Sequence, residues 1–264
     1  MLITLTTDFG YIDPFVGIMK GVIAGINPDV QVVDVTHGVP PQNLIAGALV
    51  LRHSVDYFPA GTIHVVVVDP GVGSTRRPVL IQCRDMYLIG PDNGVLSLAL
   101  ESHNPIRIVE LSNRKFQLQP RSNTFHGRDI FAPAAAHLSR GVDAGNFGAA
   151  VDNFVRLELA PAIRNGDSLE GQIVYIDGFG NLFTTISGQD LTNHDMERIT
   201  VRIGDTTIDG ISRAYVAGET RRFVAVINSW GLVEVAVPNG NAAQLLGAGI
   251  GDKVQVQRIS ENHP

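Results

Sequence analysis

Residues 64–77 read His-Val-Val-Val-Val-Asp-Pro-Gly-Val-Gly-Ser-Thr-Arg-Arg, and this stretch decides the fold. Val65 to Val68 form an uninterrupted apolar run, the pattern of a strand buried on both faces. The run stops at Asp69, and Pro70, Gly71 and Gly73 then force a tight turn before Arg76 and Arg77. A carboxylate at the carboxyl end of a buried strand, with a guanidinium seven residues on, stands where open α/β sheets build ligand sites. A turn-capping aspartate followed by solvated arginines would explain the same residues, so the rest of the chain has to decide.

Outward from that strand, apolar segments alternate in type. Leu2 to Thr6 and Val30 to Val35 read as strands, Pro14 to Asn27 and Asn43 to Tyr57 as helices. Val79 to Gln82 and Met86 to Ile89 form a short strand pair ending in the turn sequence Gly-Pro-Asp-Asn-Gly at 90–94. Val95 to Glu101 is a helical turn or two, and Asp129 to Ser139 a further helix. Strand–helix alternation to about residue 150 implies an α/β domain with a mostly parallel sheet between helices. After Pro161 the pattern changes. Residues 162–169 read as a linker, and short strands follow at close spacing: Glu170–Asp177, Leu182–Ile186, Arg198–Ile203, Thr206–Ile208, Phe223–Asn228, Leu232–Val237 and Asp252–Arg258. That is the pattern of a small antiparallel β-barrel domain. The expected organisation is 1–161 α/β, 162–169 linker and 170–264 β-barrel.

Composition narrows the function. The chain has 264 residues, 44% hydrophobic and 17% charged, which is ordinary for a globular protein with real cores. A net charge of −6 without a basic block argues against a nucleic-acid partner. Cys83 is the single cysteine, so no intrachain disulfide forms, a thiolate metal cluster is disfavoured, and the expected compartment is the cytoplasm. The start, MLITLTTDFG, has no basic n-region of a signal peptide, and no apolar run reaches the roughly 20 residues of a membrane helix.

Polar residues gather at the ends of apolar segments: Asp8, Asp13, Asp34, Asp69, Arg76, Asn93, His126, Arg128 and Asp129. His126 precedes a glycine at the entry of a helix, and Asp129 reads as a first-turn acid. His53, His103, His137, His194 and His263 have no adjacent pattern. There is no His-x-x-x-His, no cysteine pair, no Walker loop, no GxGxxG after the first strand and no GxSxG elbow. In the second half, Asp177-Gly178-Phe179-Gly180-Asn181 and Ile227-Asn228-Ser229-Trp230-Gly231 each follow an apolar strand. They are hairpin chemistry, or the aromatic faces and directional donors that hold a purine.

Taken together, TTDFG, VDPGVGSTRR, GPDNG, TFHGRD, DGFGN, INSWG and GNAA resemble, in order and across nearly the whole chain, the S-adenosyl-L-methionine hydrolases, also called SAM hydroxide adenosyltransferases, relatives of fluorinase and chlorinase. The resemblance implies an α/β domain followed by a β-barrel domain in a homotrimer, with a site where one subunit's first domain meets a neighbour's second. It implies a catalytic triad of Asp69, Arg76 and His126. Asp8 falls on the ribose-diol position, Asp13 on a substrate-lining acid near it, and Phe125 beside the histidine. Asp177 and Asn181 match residues holding the methionine amine and the adenine, Ser229 a methionine contact, and Tyr215 an aromatic that packs on adenine. Phe179 and Ala242 stand within the same substrate-lining motifs. No metal and no cofactor are implied, since S-adenosylmethionine is the substrate and adenosine a product.

The halogenating relatives lack the Arg–His pair, carry an extra loop in the first domain, and have a tryptophan where Gln42 stands; this chain has the pair and no room for the loop, so it looks like the hydroxide-using branch. The reaction so implied is attack of water-derived hydroxide on ribose C5′. The sulfonium leaves unaided, a guanidinium favours hydroxide over water, and either His126 or Asp69 takes the proton. A non-catalytic S-adenosylmethionine binder, a 5′-halogenating enzyme and a metal-dependent nucleoside hydrolase are the rival readings.

Overall fold

The computed structural model describes residues 1–192, 195–215 and 222–258, so His194 and His263 lie outside the described residues. The chain divides into two compact units, Met1–Leu157 and Glu158–Pro264.

The first unit is built on a six-stranded sheet of order β2-β1-β3-β5-β4-β6. Its strands are β1 (Leu2–Thr7), β2 (Gln31–Thr36), β3 (Thr62–Val67), β4 (Pro78–Cys83), β5 (Met86–Pro91) and β6 (Pro105–Glu110). The pairs β1/β2, β1/β3 and β3/β5 are parallel, and only β4 runs against its neighbours. The chain leaves β1 to one side for β2, then returns past it to β3. That reversal opens a crevice beyond the carboxyl ends of β1 and β3, where open α/β sheets bind ligands. β3 is buried along its whole length, as its valine run requires. Helix α1 (Phe15–Ile26) packs with α3 (Ala132–Ser139), and Met19, Ile23, Ile130, Phe131 and Leu138 join Ile3, Leu5 and Val65 in one core. α2 (Leu44–Arg52) packs against a 3-10 turn at Leu98–Glu101.

Three differences from the sequence reading have local causes. The helix expected to Tyr57 ends at Arg52, and a separate 3-10 turn covers Val55–Tyr57; the Ser54 hydroxyl donates to the Val50 carbonyl at 2.6 Å, competing with the backbone ladder. Strand β6 was not expected, because it is an edge strand with two consecutive exposed residues, Ile106 and Arg107, that break the alternation. The helix expected from Asp129 begins instead as a π-turn, Gly127–Phe131. Pro133 has no N–H to give the Asp129 carbonyl, which takes the Leu118 N–H at 2.9 Å.

The second unit is an eight-stranded antiparallel sheet, nearly closed on itself. Its strands are β7 (Ile163–Asn165), β8 (Ser168–Ile176), β9 (Leu182–Ser187), β10 (Ile199–Ile203), β11 (Thr206–Asp209), β12 (Val224–Ile227), β13 (Leu232–Ala236) and β14 (Lys253–Arg258), with a short helix α4 (Ala242–Leu246). The order is β11-β10-β14-β8-β9-β13-β12, and β7 pairs with β8. β8 pairs with β14 through its first half and with β9 through its second. A bridge from Ser212 to Val226 in β12 brings the two ends of the sheet together. The stretch expected as a linker is a hairpin: Asn165 pairs with Ser168 across Gly166 and Asp167, with Gly166 at φ 61°. A polar Asn-Gly-Asp run is what a tight two-residue loop needs, so its composition masked a strand. Among the described residues no helix is long and apolar enough to cross a membrane.

His64, 1% exposed in β3, lies 2.8 Å through Nδ1 from the Thr4 hydroxyl of β1. Burial, assisted by the charge of His103, lowers its pKa to about 4. The unfolded chain therefore binds a proton that the folded one refuses between about pH 6.5 and 4, and stability falls as pH falls through that window. Urea unfolding at pH 7 and pH 5 should show a lower midpoint at pH 5, with a shallower pH dependence in His64→Gln.

Candidate active site

The loop after β3 folds back on itself through successive turns. Val72 N–H donates to the Asp69 carbonyl at 3.2 Å, Ser74 N–H to Gly71 at 3.1 Å, and the Ser74 hydroxyl to Gly71 at 2.7 Å. Gly73 is required at φ 79°, because a Cβ there would stand 2.3 Å from the Asn123 carbonyl oxygen. The turns return Arg76 to the aspartate at the strand end. Its Nε donates to Asp69 Oδ1 at 3.0 Å and its Nη2 to Asp69 Oδ2, a two-point fork. Both side chains are nearly buried, 9% and 5% exposed. The guanidinium also stands 5.5 Å from the centre of the Phe131 ring.

Arg76 Nη2 makes a second contact, 2.7 Å to His126 Nδ1. A guanidinium can only donate, so Nδ1 accepts and the imidazole carries its proton on Nε2. Burial is the main influence lowering the His126 pKa, joined by the charges of Arg76 and Arg121 against Asp69 and Asp129. His126 is therefore a neutral ring. Its Nε2 and the Nη1 of Arg76 are buried without a hydrogen-bond partner. The segment ahead of His126 is strapped by Asp129, which is 1% exposed, accepts from the Ser122 N–H at 2.7 Å and pairs with Arg128 at 2.6 Å.

Asp69 and His126 line a cleft of about 380 Å³ together with Asp8, Phe9, Gln42 and Phe125. Asp8 follows β1, and its Oδ2 accepts the Gln42 N–H at 2.8 Å. Gln42 itself sits at φ 65°, a left-handed conformation unusual for a side-chain-bearing residue. Phe9, Phe15 and Phe125 meet edge to face with centroids 5.3–6.0 Å apart and form an apolar wall.

The second unit has an open cleft of its own, about 790 Å³, lined by Asp177, Phe179, Asn181, Tyr215 and the segment 236–241. Asp177 organises the turn after β8: Oδ1 accepts the N–H groups of Phe179 and Asn181, both at 2.9 Å, and Oδ2 the Asn181 side-chain amide at 3.1 Å. Gly180 lies so close to the Asn241 side chain that a Cβ would stand 2.1 Å from it. Phe179 is 79% exposed. Tyr215 donates to Glu234 Oε1 at 2.8 Å, and burial with that bond pushes its hydroxyl up to about 12.

Residues 3–148 match the family description "SAM hydroxide adenosyltransferase N-terminal domain", and residues 171–255 match its "C-terminal domain" counterpart. The chain belongs to the SAM hydroxide adenosyltransferase family. It is 39% identical to a protein named (R)-S-adenosyl-L-methionine hydrolase from Salinispora tropica, over 96% of this chain and 97% of the relative. It is 28% identical to a fluorinase from Nocardia brasiliensis, over 97% of each. The crystal structure of an uncharacterized conserved protein from Thermotoga maritima superposes with a TM-score of 0.91 at 34% identity, covering 98% of this chain and 100% of that one.

Within this chain, the first unit gathers Asp8, Asp69, Phe125 and His126 on one cleft, with Arg76 behind them. Asp13 stands exposed ahead of α1, outside the cleft lining. The second unit gathers Asp177, Phe179, Asn181 and Tyr215. Ser229 is exposed in the turn after β12 and does not line that cleft. Ala242 is fully buried in the core at the start of α4, so its side chain offers no surface to a ligand. Sequence reasoning missed Glu234, 1% exposed beneath Tyr215, and the backbone of Gln42. Glu234 lies within the run Leu-Val-Glu-Val-Ala of β13, where one acid among apolar residues was the available signal. Nitrogen-15 NMR of the imidazoles should find His126 neutral at pH 7 as the Nε2–H tautomer, titrating below 6.5. A ring protonated at pH 7, or bearing its proton on Nδ1, would contradict the Arg76 contact.

Proposed function

We propose that this chain hydrolyses S-adenosyl-L-methionine to adenosine and L-methionine, without a metal or other cofactor. The observation that carries this reading is the buried Asp69–Arg76–His126 fork, two of whose members line a cleft that also holds Asp8. Binding alone requires no such arrangement. The oxygen of water attacks ribose C5′ as the C5′–S bond breaks, and the sulfur keeps the electron pair as the thioether of methionine. A sulfonium needs neither a proton nor a metal to leave. The demand falls on the nucleophile, because hydroxide is scarce near neutral pH. The orphaned His126 Nε2–H serves as a donor to the attacking oxygen, and the Arg76 charge favours its anionic form. With Nδ1 taken by Arg76 and Nε2 protonated, His126 has no free lone pair. Asp69, an acceptor-only carboxylate on the same cleft, takes the proton.

Asp8 suits the ribose diol, and Asp177, Asn181, Phe179 and Tyr215 suit the methionine amine and the adenine face. The name of the Salinispora tropica relative supports a preference for the R epimer at sulfur. Each site is shared between subunits of a homotrimer in the cytoplasm. Fully exposed Ile12, with Tyr11 at 69% and Phe15 at 40% exposure, supports a contact with a second copy beside the first cleft.

Purified protein given each epimer separately in oxygen-18 water with chelator should release methionine and adenosine labelled at the 5′-hydroxyl, faster from the R form. Loss of turnover in chelator, restored by a divalent ion, would reject the metal-free reaction. Asp69→Asn should lower kcat by about two to four orders of magnitude. His126→Gln, which keeps an N–H donor, should retain at least about tenfold more activity than His126→Ala. Equal loss in both His126 variants would return the base role to the imidazole.

Subunit sharing has its own test. His126→Ala and Asn181→Ala chains, each inactive alone, should recover part of the wild-type rate when co-assembled. Mixed assemblies with no recovery would place the whole site within one chain.

A further inference from the structure

Behind the first cleft lies a chain of polar groups, buried at Thr7 and His37 and partly exposed at Asp34 and Lys20, none of which lines that cleft. His37, 1% exposed, follows β2. Its Nδ1 is 2.8 Å from the hydroxyl of Thr7, the fully buried last residue of β1. That same hydroxyl oxygen accepts the Phe9 N–H at 3.2 Å. On the other side of the ring, Nε2 stands 3.1 Å from Asp34 Oδ1, at ion-pair distance though out of line for a hydrogen bond. Asp34 Oδ2 takes the Lys20 ammonium at 2.6 Å. Burial raises the Asp34 carboxyl, but the Lys20 hydrogen bond and charge, with the adjacent His37, outweigh it and leave it lowered, so the carboxylate facing the ring is ionised.

The backbone runs the same way. Gly10 N–H donates to the His37 carbonyl at 2.8 Å and Val39 N–H to the Thr7 carbonyl at 3.4 Å. These bonds join the loop leaving β1, which carries Asp8 and Phe9, to the loop leaving β2, which carries Pro41 and Gln42. All four residues line the cleft, and Gln42 N–H reaches back to the Asp8 carboxylate. Among the described residues, His37 is the imidazole wedged where the two loops start. Asp8 lies between two anchored residues, Thr7 held through its hydroxyl and carbonyl and Phe9 through its N–H.

We propose that His37, braced by Asp34 and acting through the Thr7 hydroxyl, is a positioning residue that aims Asp8 at the ribose diol. The proposal rests on the reading of Asp8 as the diol ligand. A chain of this kind acts on substrate binding and leaves the water-activating fork untouched, since neither Arg76 nor His126 is bonded to it. Losing one link costs about a hydrogen bond's worth of binding, roughly tenfold in affinity.

The test is steady-state kinetics of the full-length enzyme with S-adenosylmethionine and with its 2′,3′-dideoxyribose analogue. Thr7→Val, which replaces only the hydroxyl, and His37→Asn, which cuts the link to Asp34, should raise KM for the diol substrate about tenfold and change kcat less than about threefold. For the dideoxy analogue the two variants should match wild type. Thr7→Ser should restore the wild-type KM, and adding Thr7→Val to Asp8→Ala should cost nothing further. Equal KM increases for both substrates, an unchanged KM, or full additivity with Asp8→Ala would overturn the relay. If Asp8→Ala itself leaves KM for the diol substrate unchanged, the diol reading fails, and the proposal falls with it.

Discussion

One guanidinium that cannot lose its charge, buried at the end of a valine strand, is the constraint around which the first unit is arranged. Arg76 is held by Asp69 on one side and offers an Nη2 N–H to His126 on the other. A buried ion pair of this kind contributes little net stability, because desolvation offsets most of its attraction. The apolar material around it, from Val65 in β3 to Ile130 and Phe131 in the turn before α3, provides the cohesion that lets the pair remain. The charge also settles the state of its neighbour. An imidazole that accepts from arginine is neutral, and its other nitrogen is a donor.

The loops answer to the same demand. Arg76 returns to Asp69 only because Pro70, Gly71 and Gly73 turn the chain within a few residues, and Gly73 lets the 123–126 segment approach. That segment needs its own anchor, and Asp129 provides it by bonding back to Ser122 while the π-turn displaces the start of the helix. On the other side of the cleft, the loops leaving β1 and β2 are tied by Thr7 and His37. Both walls of the cleft are thus fixed by side chains that the cleft itself does not display.

The second unit uses a different economy. Its barrel core is plain, with Ile173, Leu182, Ile199, Val233 and Val254 filling the interior. Much of its polar organisation lies in the turns: Asp177 closes the turn after β8, and Asn228 Oδ1 accepts from Trp230 and Leu232 after β12. Within the sheet, the buried Thr184 hydroxyl donates to the Val233 carbonyl at 2.8 Å, and Glu234 is an acid whose pKa is raised chiefly by burial and whose Oε1 is tied to Tyr215. The Tyr215 ring stays on the open cleft while its hydroxyl is drawn inward.

Sequence alone determined what periodicity and turn chemistry encode. The valine run, the alternating helices and the close-spaced strands named an α/β unit followed by a β-barrel, and the Pro-Gly turn placed Asp69 and Arg76 on one loop. It did not determine features whose signal is weak or whose cause is distant. β6 has no clean alternation, the 162–169 hairpin looks like any polar connector, and the π-turn depends on a carbonyl taken by Leu118. Where the side chains of Asp13, Ser229 and Ala242 stand was equally absent from the spacing: Asp13 and Ser229 are exposed outside the two cleft linings, and Ala242 is buried in a core. Only the tertiary structure decided that Arg76 donates to His126 Nδ1, because that contact joins residues fifty apart in the chain and fixes a proton that no spacing records.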